Sequence, residues 1–261
     1  MIEIYKFRDA DQILKPRRVR RFVLISCVKG RAEAIVDASR FELSPNTVIT
    51  ITSGQVHSLI PMAGSDGFVL EFTYDFFCLT DSDIELVFRN SLFCHFAMNE
   101  VIPLGKTSLV RKELESISEE LEHEPFQFLA SIHSRLKLIL IDINRSKLAL
   151  GGEVYMPDAL FLKFLEALRE NYDKKPTTAD LARIVGTTSA KLNELSKFHT
   201  GRTAQMVIHG QTALEAKRLL AFEKLSVKET AYRLGFEDPF YFSNFFKKHI
   251  GVSPKTFQET S

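Results

Sequence analysis

The sequence predicts an α+β chain. An antiparallel β-sandwich or barrel comes first, a helical hairpin follows, and an all-α domain with two helix-turn-helix units ends it. Three observations lead there. Short apolar runs separated by Gly, Pro and Asn fill the first hundred or so residues. After Pro103 the apolar period changes from two to about 3.6. From Thr177 onward the chain repeats itself at an offset of 49 residues.

The elements follow in order. Residues 22–28 (Phe-Val-Leu-Ile-Ser-Cys-Val) read as a buried strand, Lys29-Gly30 as a turn, and Ala32 to Val36 as the alternating return. Phe41 to Leu43, Val48 to Thr52, Val56 to Ile60 and Gly67 to Tyr74 continue the pattern, with Ser53-Gly54 turning the chain. Asp75 to Asn90 reads as short helices and loop. Leu109, Leu114, Ile117 and Leu121 then fall at helical spacing. Pro125 is expected to open a second helix carrying Phe128, Leu129, Ile132, Leu136, Ile139 and Ile143, which makes a hairpin around His123-Glu124-Pro125. The stretch Leu136 to Ile143 is apolar on too many sides for a surface helix. It is expected to be buried by another domain, by another chain, or by its own sheet. Leu148 to Asp158, with Gly151-Gly152 and Pro157, reads as a linker. The organisation is therefore a sheet domain over 1–104, a hairpin over 105–150 suited to dimerisation, a linker over 151–157, and a helical domain over 158–261.

Composition excludes several classes. Of 261 residues 45% are apolar and 26% charged, a globular balance rather than a disordered one. No apolar run approaches the roughly 18 residues of a membrane span. The start, Met-Ile-Glu-Ile-Tyr-Lys, lacks the pattern of a secretory signal, so a cytoplasmic protein is expected. Cys27, Cys78 and Cys94 are odd in number and far apart, which predicts free thiols in a reducing compartment and no disulfide framework. Charge is unevenly placed. Lys174 to Ser261 holds 14 Lys/Arg and 8 Asp/Glu, a balance of +6, and the rest carries −5. A basic tail on an acidic body is the asymmetry of a nucleic-acid-binding module attached to something else.

The repeat has a physical reading. Thr177 and Asp180 match Ser226 and Glu229, each pair a Ser/Thr-x-x-acid helix start. Ala182 matches Ala231, and Gly186 matches Gly235. A small residue lets a following helix cross closely, and a glycine four residues later supplies the positive φ that ends the first helix. After one inserted residue the register continues at 50: Leu192 matches Phe242, Leu195 matches Phe245, Lys197 matches Lys247 and Gly201 matches Gly251. Thr188 in one copy, and Asp238 with Pro239 in the other, are the expected caps of the second helices. Thr203 to Phe222 reads as one connecting helix, with Gly210 inside it at a cost of roughly 1 kcal/mol relative to Ala. Such a rod could set the two second helices in successive major grooves, about 34 Å apart.

The run Leu225 to Pro254 resembles the signature of AraC/XylS-type bacterial transcription regulators. The strongest part is Gly235-Phe236, Asp238, Tyr241-Phe242-Ser243, Phe246-Lys247, Gly251 and Ser253-Pro254. The resemblance covers about residues 160–261. It extends weakly forward, where Gly30, the strands after it, and Gly54-Gln55-Val56-His57 are similar to a cupin-type sensor domain. It implies a regulator that binds double-stranded DNA, works as a homodimer, recruits RNA polymerase as an activator, and answers to a small-molecule effector. Catalytic residues, metal and cofactor are not expected. Cupin enzymes hold metal with a histidine cluster, whereas His57 is followed by Ser58 and Leu59.

In the first reading helix Leu192 and Leu195 form the buried stripe, leaving Ala190, Lys191, Asn193, Glu194 and Lys197 outside. In the second, Phe242, Phe245 and Phe246 are expected inside, with Phe240, Tyr241, Ser243, Asn244, Lys247 and Lys248 available. The resemblance places base reading on Ala190, Asn193 and Glu194, and on Pro239, Phe240, Tyr241 and Asn244. Asn suits adenine, Glu suits cytosine N4, and an aromatic or apolar side chain suits a thymine methyl. Lysines hold phosphates. Many relatives carry arginine where Asn244 stands and near Gln211; with no arginine on either predicted face, bidentate guanine readout is not expected here.

In the front half, Arg21 and His57 are the candidate ligand contacts. The run Lys15-Pro16-Arg17-Arg18-Val19-Arg20-Arg21 reads as a solvated basic arm that could meet an anionic effector or a DNA phosphate. Phe68, Phe72, Phe76 and Phe77 read as core, with a cavity lining as the alternative. Two other function classes fit less well: a cupin-type enzyme tethered to a DNA-binding domain, and an interaction protein with degenerate helix-turn-helix units.

Overall fold

Nine short strands, among the residues described, pair into two antiparallel sheets. One sheet has the order β1 (Ile2–Lys6), β8 (Asp66–Phe72), β3 (Phe22–Lys29), β6 (Thr47–Ile51), β9 (Val101–Pro103). The other has the order β2 (Arg17–Arg18), β7 (Val56–Pro61), β4 (Ala32–Val36), β5 (Ser39–Leu43). The computed structural model describes residues 1–9, 13–37, 39–88, 92–93, 99–150, 159–200 and 202–260. It divides into two units, Met1–Pro157 and Asp158–Ser261. The linker reading over 151–157, Cys94 and Gly201 lie outside the described residues.

Strand alternation builds the core. Val23, Ile25 and Cys27 on β3, with Ile49, Ile51 and Val69, face Ala32, Ala34, Val36 and Leu59 of the second sheet. The other face of the first sheet is buried too. Phe22 pairs in register with Phe72, and these rings pack with Phe77 and Phe93 at centroid distances of 5.0–5.7 Å. Burial on both faces is why β3 and β8 read as continuous apolar runs rather than alternating ones. Phe68, Phe72 and Phe77 are thus core residues. β1, β2 and β9 escape sequence reading, and all three are edge strands of two to five residues. Each edge strand lacks a neighbour on one side, and such short strands carry little periodic signal.

Among the described residues, four α-helices accompany the sheets of this unit: α1 (Tyr74–Phe77), α2 (Asp81–Phe88), α3 (Val110–His123) and α4 (Phe128–Ala149). Pro125 does not open α4. Glu124 and Gln127 take positive φ, so Pro125 and Phe126 belong to the connection. The surplus apolar surface of α4 is covered within its own unit, by α3, α2 and β9. Leu136, Ile139, Leu140 and Ile143 are fully buried, and Leu138 alone in that stretch is exposed. Arg135 clamps the hairpin, with Nη1 2.7 Å from Glu113 Oε2 and Nε 2.8 Å from Glu120 Oε1.

Among its described residues the second unit is all helical: α5 (Ala159–Glu170), α6 (Thr178–Ile184), α7 (Ser189–Thr200), α8 (Ala204–Ala221), α9 (Val227–Arg233), α10 (Pro239–Ile250) and α11 (Pro254–Thr260). A short 3-10 turn, Tyr172–Lys174, precedes α6.

Candidate nucleic-acid interface

Local chemistry starts the helices where the sequence predicts. Thr177 Oγ1 accepts from Asp180 N at 3.2 Å while Asp180 Oδ2 accepts from Thr177 N at 3.0 Å. Ser226 and Glu229 make the same reciprocal box at 3.2 and 2.8 Å. These bonds hold both carboxyls below their ordinary values. Each first helix ends with one geometry. Thr187 N donates to Ala182 O at 2.8 Å, and Phe236 N to Ala231 O at 2.9 Å. The intervening Gly186 and Gly235 have φ of 71° and 74°.

The two turns nevertheless differ in their surroundings. A Cβ at Gly186 would meet nothing within 4 Å, whereas one at Gly235 would lie 3.0 Å from Asp173 O and 3.1 Å from Lys175 Cβ. Gly186→Ala is expected to cost about 1 kcal/mol, from φ alone, and Gly235→Ala roughly twice that. Urea unfolding of both variants checks this; equal losses would mean that residues 173–175 do not press on the second turn.

The second helices, α7 and α10, are capped by Thr188, whose Oγ1 accepts from Lys191 N at 3.2 Å, and by Asp238, whose Oδ1 accepts from Phe240 N at 2.8 Å. Leu192 and Leu195 are buried in α7, as are Phe242 and Phe246 in α10. Ala190, Lys191, Glu194 and Lys197 are exposed on α7, with Lys191 Nζ 2.8 Å from Glu194 Oε1. On α10, Pro239 is half-buried and Asn244, Lys247 and Lys248 are exposed. Phe240 and Tyr241 are 67% and 69% exposed, unusual for side chains of this size unless a partner covers them.

Two expectations change. Asn193 is half-buried, and its amide is engaged inside the protein: Oδ1 accepts from Ala204 N at 3.0 Å and Nδ2 donates to Ser189 O at 3.1 Å. It ties α7 to the start of α8 rather than standing on the open face. Ser243, its counterpart at offset 50, likewise bonds the carbonyl four residues back, Pro239 O, at 2.8 Å. Phe245 is half-buried, not fully, against Phe236, His209 and His249.

The structure also adds what sequence reading misses. Tyr172 belongs to the core of the second helix-turn-helix, with Leu219, Ala231, Phe242 and Phe246. Lys175 Nζ sits 4.7 Å over the Phe236 ring. The segment before α6 therefore joins the two helix-turn-helix units, beside the α8 rod. Glu166-Ala167-x-Arg169 on α5 repeats as Glu215-Ala216-x-Arg218 on α8, again at offset 49, and all four charged residues are buried as Glu–Arg pairs. Extending the repeat upstream of Thr177 would have found them.

A family model described as a helix-turn-helix domain matches residues 181–260. The transcriptional activator RhaS of Enterobacter sp. is 26% identical over 150 residues, 58% of this chain and 53% of that protein. Residues 181–260 are thus similar to the helix-turn-helix domain of transcription regulators. RhaS is named as an activator of transcription. The raffinose operon regulatory protein RafR of Pediococcus pentosaceus is 30% identical over 93 residues, 36% of this chain and 34% of that one. The chain spans about half the length, or less, of these curated relatives. Among solved structures, the C-terminal domain of the response regulator yesN from Fusobacterium nucleatum is 29% identical over 36% of this chain and 93% of its own, with a TM-score of 0.34. ToxT from Vibrio cholerae is 14% identical, covering 99% of this chain and 97% of its own, with a TM-score of 0.42.

In the N-terminal unit, the basic run is not a solvated arm. Arg17 and Arg18 form β2, opposite His57 and Val56 of β7. Arg17 is paired with Glu71, whose side chain is fully buried. Arg21 Nη1 lies 2.5 Å from Glu3 Oε2 and 3.3 Å from Glu71 Oε2, and Arg18 Nε donates to Gly54 O at 2.8 Å. Arg21, a candidate ligand contact, is thereby committed to two carboxylates. Only Lys15, Pro16 and Arg20 of the run are exposed.

His57 is buried, and its Nδ1 lies 3.1 Å from Gln55 O. The neutral ring donates there, which leaves Nε2 as an acceptor. Among the described residues neither His57 Nε2 nor Arg17 Nε has a hydrogen-bond partner. Burial pushes His57 down to about 4, the Arg17 charge adding to the effect and the Gln55 bond opposing it. The sign follows from protons: the unfolded chain protonates His57 below about 6.5 and the folded chain does not. Stability is therefore full above that value and falls with pH down to about 4, by about 3 kcal/mol for this group. Thermal melts between pH 7 and 4.5 should show the loss, and His57→Gln should flatten it. An unchanged slope in the variant would place the acid sensitivity elsewhere. Among the described residues no group of three or more His, Cys, Asp or Glu could hold a metal ion. None of the described helices is long and apolar enough to cross a membrane.

Proposed function

We propose that the protein is a cytoplasmic, sequence-specific DNA-binding transcription regulator, acting as an activator. One observation carries this reading: two helix-turn-helix units built from the same caps and glycine turns lie on the basic part of the chain, and each leaves a polar or aromatic face uncovered. Base reading then rests on Ala190 and Glu194 in α7, and on Phe240, Tyr241 and Asn244 in α10, with Lys191, Lys197, Lys247 and Lys248 on phosphates. Asn193 acts as a positioning residue. The relative RhaS is named an activator, which supports the direction of control; recruitment of RNA polymerase is the further part of this proposal.

The test is selection of bound DNA from a random pool by the full chain. Asn244→Ala is expected to cost about 1–3 kcal/mol of binding and to relax preference at one base pair. Lys247→Ala is expected to weaken binding to every sequence and to reduce the salt slope by about 1. Recovery of no preferred sequence would sink the reading.

Two finer parts belong to the same proposal. The α3–α4 hairpin is the homodimer interface, supported by the exposed Phe126, Leu129 and Leu138. The sandwich interior takes a small polar effector, supported by an open acceptor on His57 beside an open donor on Arg17. Sedimentation of the chain and melts against a metabolite panel test them separately.

A further inference from the structure

We propose that the solvent face of α8 is a docking groove for an acidic amphipathic helix of another protein. Gly210 raises the question. It sits inside an 18-residue helix, where glycine weakens the helix relative to alanine. Neither backbone conformation nor packing requires it: its φ is not in the left-handed region, and a Cβ there would meet nothing within 4 Å. A cost with no internal reason points to something that must come close from outside.

The surroundings describe that visitor. Met206, Gly210, Ala213, Leu214 and Lys217 follow one another along one face of α8, at the i, i+4, i+7, i+8 and i+11 spacing of a single stripe. Ile250, from the end of α10, closes one side of a groove of about 280 Å³. Its floor is small and its walls are apolar, which lets a second helix approach closely and pack.

The rim sets the charge. Arg202 and Lys217 border the groove and no carboxylate lines it. Among the described residues neither has an ion-pair partner, and Lys217 Nζ is held 5.7 Å over the Phe257 ring. His249, kept below its ordinary value by burial and by Lys248, adds a hydrogen-bonding edge. A partner with apolar residues on one helical face and Glu or Asp beside them complements both features. A DNA backbone would satisfy the cations but gain nothing from Met206, Leu214 and Ile250.

The experiment titrates the full chain into a fluorescent synthetic helix of about four turns, with leucine and alanine on one face and glutamate on the rest. Expected are binding of this peptide, no binding of its lysine-for-glutamate counterpart, and a loss of about tenfold or more in Gly210→Leu and in Lys217→Glu. Leucine is a better helix former than glycine and has room at this position, so the fold survives. Operator affinity should be unchanged in Gly210→Leu. Absence of peptide binding, or equal binding by Gly210→Leu, overturns the proposal. Loss of DNA affinity in Gly210→Leu overturns it too and assigns the groove to the duplex.

Discussion

Glu71→Gln is expected to destabilise the N-terminal unit by about 3–5 kcal/mol. Glu71 is on β8, opposite Glu3 of β1 and Val23 of β3, and its side chain has no solvent exposure. It neutralises Arg17 and shares Arg21 with Glu3. The amide keeps the shape but removes the charge, which leaves the Arg17 guanidinium, itself only 18% exposed, facing an uncompensated interior. Arg21→Gln should cost less, because Glu71 keeps Arg17. The surface pair Arg31–Glu42 is the control: both side chains are more than 60% exposed, and Glu42→Gln should change stability by less than about 0.5 kcal/mol. Hydrogen exchange in β1, β3 and β8 reads the loss directly. Exchange unchanged from the parent chain would mean that the carboxylate is not buried as described. The double change Glu71→Leu with Arg17→Met should recover much of the loss, because removing both charges leaves no buried orphan.

Phe246→Ala is expected to cost the C-terminal unit about 3–5 kcal/mol. Phe246 is fully buried, with its ring 5.9 Å from Phe242 and 5.6 Å from Phe257. The α10 helix rests on α8, α9 and α11 through this cluster, and the cavity left by alanine cannot be filled by helices already held by caps and turns. DNA affinity should fall with it, since one of the two reading helices loses its seat. Phe240→Ala separates stability from recognition. The residue type is the same, but Phe240 is 67% exposed. Its loss should leave the unfolding midpoint unchanged and lower affinity for the selected operator. If both variants shift the midpoint alike, the assignment of inner and outer faces on α10 is wrong.

Much of the fold and of the candidate interface is legible in the amino-acid sequence, and for a local reason. The capping boxes at Thr177 and Ser226, the turns at Gly186 and Gly235, and the caps Thr188 and Asp238 involve partners within about six residues. Their energies belong to short stretches of chain, so residue type and spacing announce them. The strands β4 and β8 are legible because each buries at least one whole face, and β3 and β7 because burial lapses only in their last two residues.

Other assignments need the folded chain. A string of arginines at 17–21 looks solvated until β8 brings Glu71 beneath it, 54 positions away from Arg17. Asn193 looks like a base reader until α8 turns back and offers the Ala204 N–H. Tyr172 has no assignment from the sequence until it enters the core of the second helix-turn-helix. Charge and hydrogen-bonding capacity are properties of a residue, whereas satisfaction of that capacity depends on which distant group arrives first. Packing brings that group into place over long loops, and no periodicity in the chain records it.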